Sequence, residues 1–135
     1  DGTSWVEVGN QDSAATDAQT ISFNYTAPGG GFGGVETVNL ANISPGARIV
    51  DVSVEVNTAL SNYTGSTEPT VEVGTASDLD QFMTGDESDL SSAGTYTANP
   101  NYLYPATQGN DLSLKARINH RQSTSGDFVV TVTYV

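Results

Sequence analysis

The sequence predicts an all-β domain, an antiparallel β-sandwich with jelly-roll-like character, and three observations carry that expectation. Apolar and polar residues alternate over several segments of strand length, which puts one face of each segment in a core and the other in water. Turn-forming clusters of Gly, Pro, Asn, Asp and Ser separate these segments. No stretch keeps a 3.6-residue apolar period for more than a single turn, which leaves strands as the only long elements.

Each element follows from its own residues. Trp5-Val6-Glu7-Val8 is a short strand candidate and Thr20-Ile21-Ser22-Phe23-Asn24-Tyr25 a longer one; Val35 to Leu40 is a third. Arg48 to Asn57 alternates cleanly, with Val50, Val52, Val54 and Val56 expected inward and Asp51, Ser53, Glu55 and Asn57 outward. Thr70-Val71-Glu72-Val73-Gly74 repeats the pattern, and Gly94 to Ala98 is a further short candidate. Leu112, Leu114, Ala116 and Ile118 form one apolar row, and Phe128, Val130, Val132 and Tyr134 another. Ser125-Gly126-Asp127 lies between those rows, so Leu112–Val135 is expected to be a β-hairpin. The one helical signal is Ser77 to Met83, a single turn capped by Ser77 or Asp78, with Leu79, Phe82 and Met83 facing inward at i, i+3 and i+4.

The amino-terminal third is different in kind. Asp12 to Ala18 is small and polar, and Gly29-Gly30-Gly31-Phe32-Gly33-Gly34 is a glycine run around one aromatic. Residues 1–46 are therefore expected to be an extended Gly-rich N-terminal arm or edge region with one or two strands, and residues 47–135 the sandwich domain. Two readings of the arm stay open: an ordinary long loop, or a segment that orders against a neighbouring subunit, with Phe32 as its contact residue. Asp1 at the start, in place of Met, predicts processing or excision from a longer protein.

Composition excludes several functions. With 16 Asp+Glu against 4 Lys+Arg the net charge is −12, the wrong sign for nucleic acid or an anionic membrane. No apolar run reaches the ~18 residues of a membrane span. The absence of Cys removes disulfides and thiolate metal sites. The single histidine, His120, cannot form a His-rich metal cluster, and no Gly-x-Ser-x-Gly elbow or phosphate-binding glycine loop is present, so no enzyme is expected.

Three groups of residues remain as candidates. Lys115, Arg117, His120 and Arg121 gather most of the basic groups, with His120 expected at the surface or at an interface; they are either a contact for a partner or simple charge balance. Asp78 and Asp80, followed by Asp86, Glu87 and Asp89, form either a solvated acidic loop or a Ca²⁺-stabilised one, although Phe82 breaks the EF-hand pattern. No other cofactor is expected. Tyr96, Tyr102 and Tyr104, with Pro100 and Pro105, form either a ligand- or receptor-binding loop or a lid on the sandwich.

The stretch from about Ala47 to Val135 resembles a β-sandwich module of tailed-phage virions, found in capsid decoration proteins, head fibres and tail-associated proteins. The residues carrying the resemblance are the Val50–Val56 strand, Val73-Gly74-Thr75-Ala76 followed by the acidic connector with Phe82, Ser92-Ala93-Gly94-Thr95-Tyr96, and the closing Val130 to Tyr134 strand. It implies a non-enzymatic structural role, as a decoration (cement) protein on the outer surface of a phage capsid. The implied partner is the major capsid protein or another virion protein, with the chain as a homo-oligomer, a trimer in many such proteins. It equally allows a host-recognition or carbohydrate-binding module of a head fibre, tail fibre or spike, acting through the Tyr96–Tyr104 loop.

Overall fold

The computed structural model describes residues 18–29 and 33–135. They form an antiparallel β-sandwich. Its strands are β1 (Gln19–Thr26), β2 (Val35–Ile43), β3 (Arg48–Ser61), β4 (Thr70–Thr75), β5 (Gly94–Ala98), β6 (Tyr102–Leu103), β7 (Leu112–Asn119) and β8 (Ser125–Tyr134). One sheet has five strands in the order β1-β8-β3-β5, with β6 also pairing β3; the other is β2-β7-β4. Residues 19–43 thus supply one edge strand to each sheet. Trp5–Val8 and Phe32 lie outside the described residues.

The registers explain the core. Across the larger sheet, Ile21, Val132, Val52 and Ala98 form one row, and Phe23, Val130, Val54 and Tyr96 the next. Tyr25, Phe128 and Val56 begin a third. The opposing sheet answers with Val38, Ala116 and Val73, and with Ile118 beside Val71. Val52, Val54, Val71, Val73, Ile118 and Val132 are all buried. Each such side chain contributes roughly 1.5–3 kcal/mol by leaving water.

Three sequence expectations are corrected. Ile49, not Val50, faces the core at the start of β3, because the register between Ile49 and Asp51 shifts by one residue and Val50 becomes the extra residue of a β-bulge. Leu112–Val135 is not a hairpin: β7 and β8 lie in opposite sheets, joined by a corner over 120–124. There Ser123 N–H donates to the His120 carbonyl at 3.0 Å, and Arg121 (φ 53°) and Gln122 (φ 60°) are both left-handed. A turn with two positive central φ angles ordinarily takes Asn or Gly. Finally, Ser77–Met83 is not a helical turn. Its backbone is spent on the free edge of β4: Val73 N–H donates to Met83 O at 3.0 Å, Phe82 N–H to Val73 O at 2.8 Å, and Thr75 N–H to Asp78 O at 2.9 Å.

That connector continues as an edge cover. Ser88, buried, accepts from Val71 N–H at 2.9 Å and donates to Val71 O at 3.2 Å. A 3-10 turn at Gly85–Glu87 sits between, closed by Glu87 accepting from Thr84 N–H at 2.8 Å. An edge strand left open would be a template for pairing with other chains. Phe82 and Met83 still bury their side chains, as their spacing predicts.

Gly74 makes this cover possible. A Cβ there would run into the Asp78 carbonyl oxygen and lie 2.7 Å from the Leu79 carbonyl carbon. Gly74→Ala should therefore cost more than about 2 kcal/mol. Gly109→Ala, where a Cβ meets nothing within 4 Å, should stay within about 0.5 kcal/mol. Urea denaturation of both variants checks the difference.

Candidate functional site

The two ends of the sandwich differ in chemistry. At the corner end, β1, β3 and β7 finish and β2, β4 and β8 begin. Arg121 holds this end together through its backbone: its N–H donates to Gly34 O at 3.0 Å, and its carbonyl accepts from Thr64 N–H at 2.7 Å. Gly34 (φ 79°) is required for that approach, since a Cβ there would lie 2.8 Å from the Arg121 Cα.

His120 is corrected from surface to core, being only 3% exposed. Its ring stacks on Tyr25 at 6.0 Å, and Tyr25 stacks on Phe128 at 4.9 Å. Its Nδ1 accepts from Gln122 N–H at 3.2 Å. The signal was available in the sequence, because His120 continues the row Leu112, Leu114, Ala116, Ile118 in phase. Burial pushes the Tyr25 phenol up to about 12, with the Glu36 charge adding to it. The Ser123 hydroxyl acts in the other direction, although neither hydroxyl completes a hydrogen bond of ordinary length and angle.

The other three basic candidates lie outside the core. Lys115 and Arg117 project from the outer face of β7, the central strand of the smaller sheet. Lys115 donates to Asn39 on β2. Arg117 Nε donates to Glu72 Oε1 on β4 at 2.6 Å, and Asn119 Nδ2 donates to the same oxygen at 3.2 Å. The Arg117 hydrogen bond holds the Glu72 carboxyl below its ordinary range, and Glu72 in turn raises the Arg117 guanidinium. A depression of ≈ 350 Å³ beside the pair is bordered by Arg117, Arg121, Thr67 and Asp86. Sequence reasoning missed Glu72, the carboxylate that fixes Arg117.

Asp78 and Asp80 are exposed on the connector, and a hydrogen bond between their carboxyls holds Asp80 above its ordinary value. Among the described residues no group of three or more His, Cys, Asp or Glu side chains is placed to hold a metal ion.

The tyrosines separate. Tyr96 lies on β5 against the core and donates its hydroxyl to Ser92 O at 2.9 Å. Tyr102 and Tyr104 instead border a cleft of ≈ 350 Å³ at the opposite end of the sandwich, together with Thr75, Ser77, Gln81 and Ser113. The Tyr102 ring leans on buried Phe82 at 5.2 Å, and Tyr104 Oη donates to Asn110 O at 2.6 Å.

No family model matches the chain, and no curated protein does. Among solved structures, a chain of the cyanophage Pam1 capsid asymmetric unit superposes with a TM-score of 0.64 at 17% identity, covering 95% of this chain and 91% of that one. A chain of the acid-stable capsid of Helicobacter pylori bacteriophage KHP30 gives 0.57 at 19% identity, covering 87% and 86%. The resemblance read from the sequence thus holds at the level of the fold: these phage capsid chains share the sandwich.

Two outcomes follow from the corner. Below pH 10 Tyr25 keeps its proton folded or unfolded; between 10.0 and about 12 the unfolded chain loses it first, so stability falls as pH rises. Tyr25→Phe should flatten that fall and change stability at pH 7 by no more than about 1 kcal/mol, measured by urea midpoints across the alkaline range. Gln122→Gly should raise stability by about 1 kcal/mol, since it relieves a left-handed side-chain-bearing residue; thermal denaturation reads it.

Proposed function

We propose that the chain is a non-enzymatic structural protein of a phage virion, and specifically a decoration (cement) protein on the outer surface of the head. The observation carrying this is the match of the sandwich, over nearly all of both chains compared, to chains of two phage capsids. The matched Pam1 chain is therefore of about this length. The chemistry agrees with a non-enzymatic role. The only imidazole is buried against Tyr25 and is not among the residues lining either depression.

The partner is the major capsid protein or another virion protein, met through the outer face of β7. Lys115, Arg117 and Arg121 are three of the four Lys and Arg side chains of a chain whose net charge is −12, so an acidic patch on the shell is the surface they fit. A homotrimer is the assembly we favour, because three weak contacts on a symmetric lattice bind together far more tightly than one.

A protein that binds only the assembled shell stabilises it by linkage, about 2.7 kcal/mol per site at a free concentration a hundredfold above Kd. Heads lacking the protein should melt several degrees higher once it is restored at saturation. The double variant Lys115→Glu, Arg121→Glu should lose that shift while keeping its own fold. Unchanged melting of the heads at saturating protein would sink the reading.

A further inference from the structure

The cleft at the end opposite the corner is not absorbed by a role as cement. Its walls come from three separated parts of the chain: Thr75, Ser77 and Gln81 from the end of β4 and its connector, Tyr102 and Tyr104 from β6 and its continuation, and Ser113 from β7. Two properties distinguish it. The first is charge. No Asp, Glu, Lys, Arg or His is in its lining, although the chain carries 16 Asp+Glu. The second is the way its aromatic rings are held. Tyr102 is backed by Phe82, and Tyr104 is tied by its hydroxyl to the Asn110 carbonyl, so both rings are fixed before anything binds. Backbone bonds fix Tyr104 further: its N–H donates to Ala47 O at 2.8 Å, and its carbonyl accepts from Gly46 N–H at 2.7 Å.

From this we infer that the cleft is a binding site for a neutral saccharide. Tyrosine rings offer flat apolar area to the C–H face of a sugar, and a preset ring avoids the ordering cost that weakens small interfaces. The hydroxyl rim of a sugar needs short neutral donors and acceptors, which Thr75, Ser77, Gln81 and Ser113 supply. Thr75 Oγ1 is bonded to Ser77 Oγ only at 3.3 Å and to Gln81 Oε1 at 3.4 Å, long contacts that a ligand hydroxyl replaces at little loss. A volume of ≈ 350 Å³ falls at the small end for ligand sites, enough for a sugar ring or two. An anionic saccharide would find no cation in the lining and would meet the field of an acidic chain, so the neutral class is selected.

The isolated protein, fluorescently labelled, is applied to an array carrying both neutral and uronic- or sialic-acid-containing glycans, and a neutral hit is titrated as the free oligosaccharide. We expect binding to neutral chains only, with Kd on the order of 10⁻⁴–10⁻³ M for one small site. Gln81→Ala and Tyr104→Ala should each weaken it about tenfold. Gln81 is exposed, so its variant keeps the fold and separates loss of contact from loss of structure. Leu103→Ser, at an exposed residue outside the cleft lining, should bind as the unaltered protein does. Binding confined to acidic glycans, or no neutral glycan bound at millimolar concentration, overturns the proposal. So does neutral binding unaffected by both cleft variants. None of these results bears on capsid melting.

Discussion

β7 and β8 follow one another in the chain, and each carries an apolar row on one face only. Paired in one sheet, the two rows would point the same way and still lack cover. Placed in opposite sheets, they cover each other, and every other strand is recruited to widen one layer or the other. The constraint is the turn between them, which must step from layer to layer, roughly 10 Å, within five residues. It does so with Arg121 and Gln122 in left-handed conformations that cost about 1–2 kcal/mol each. Burial of the facing rows, of Phe128 and of the Tyr25–His120 stack offsets that strain many times over. Gly34 and Thr64 are then fixed because they pack onto Arg121 itself.

This explains which parts of the fold could be read from the chain. Alternation in Leu112 to Ile118 and Phe128 to Val132 says which side chains go inward, and all of them do. It does not say which sheet a strand joins, because both layers look inward with the same period of two. That is why the final two strands read as a hairpin. Bulges defeat the reading in a second way: one extra residue at Val50 leaves Val52, Val54 and Val56 in phase but hands the first inward position to Ile49. The connector fails for a third reason. Leu79, Phe82 and Met83 have the spacing of a helical face, but a segment clamped along a strand edge also needs inward anchors a few residues apart. What decided between them was a partner far in sequence, the unpaired edge of β4.

The candidate site was legible in proportion to its locality. The basic residues of β7 were visible because they sit at alternate positions of one strand, and their outward face followed from their apolar neighbours. Glu72, which orients Arg117, was invisible because only the β4–β7 register brings it opposite. Similarly, Tyr102 and Tyr104 were singled out as a sequence cluster with Tyr96, and the fold divides that cluster. All three pack partly against the core, but Tyr96 joins a row across β3 and β8, whereas Tyr102 and Tyr104 also border a cleft whose remaining wall lies on β4, its connector and β7.

Charge and topology together give the molecule a direction. A net charge of −12 repels every anionic neighbour, further copies of the chain included, so contacts must form where that field is locally cancelled. The outer face of β7 is one such place, with Lys115 and Arg117 set in a frame of Asn39, Asn119 and Glu72. The tyrosine cleft is a contact of another kind, because no Asp, Glu, Lys, Arg or His is in its lining and a neutral ligand is indifferent to the field. The first belongs to a sheet face and extends to the corner through Arg121; the second lies at the far end, beyond the start of β7. The two surfaces lie at different places on the sandwich, so occupation of one leaves the other uncovered, which is what the proposed division between a shell contact and a saccharide site requires. The strained corner is consistent with that division of labour: it carries a charged side chain to the rim of the basic face at a position where a more stable Asn or Gly would leave that rim bare.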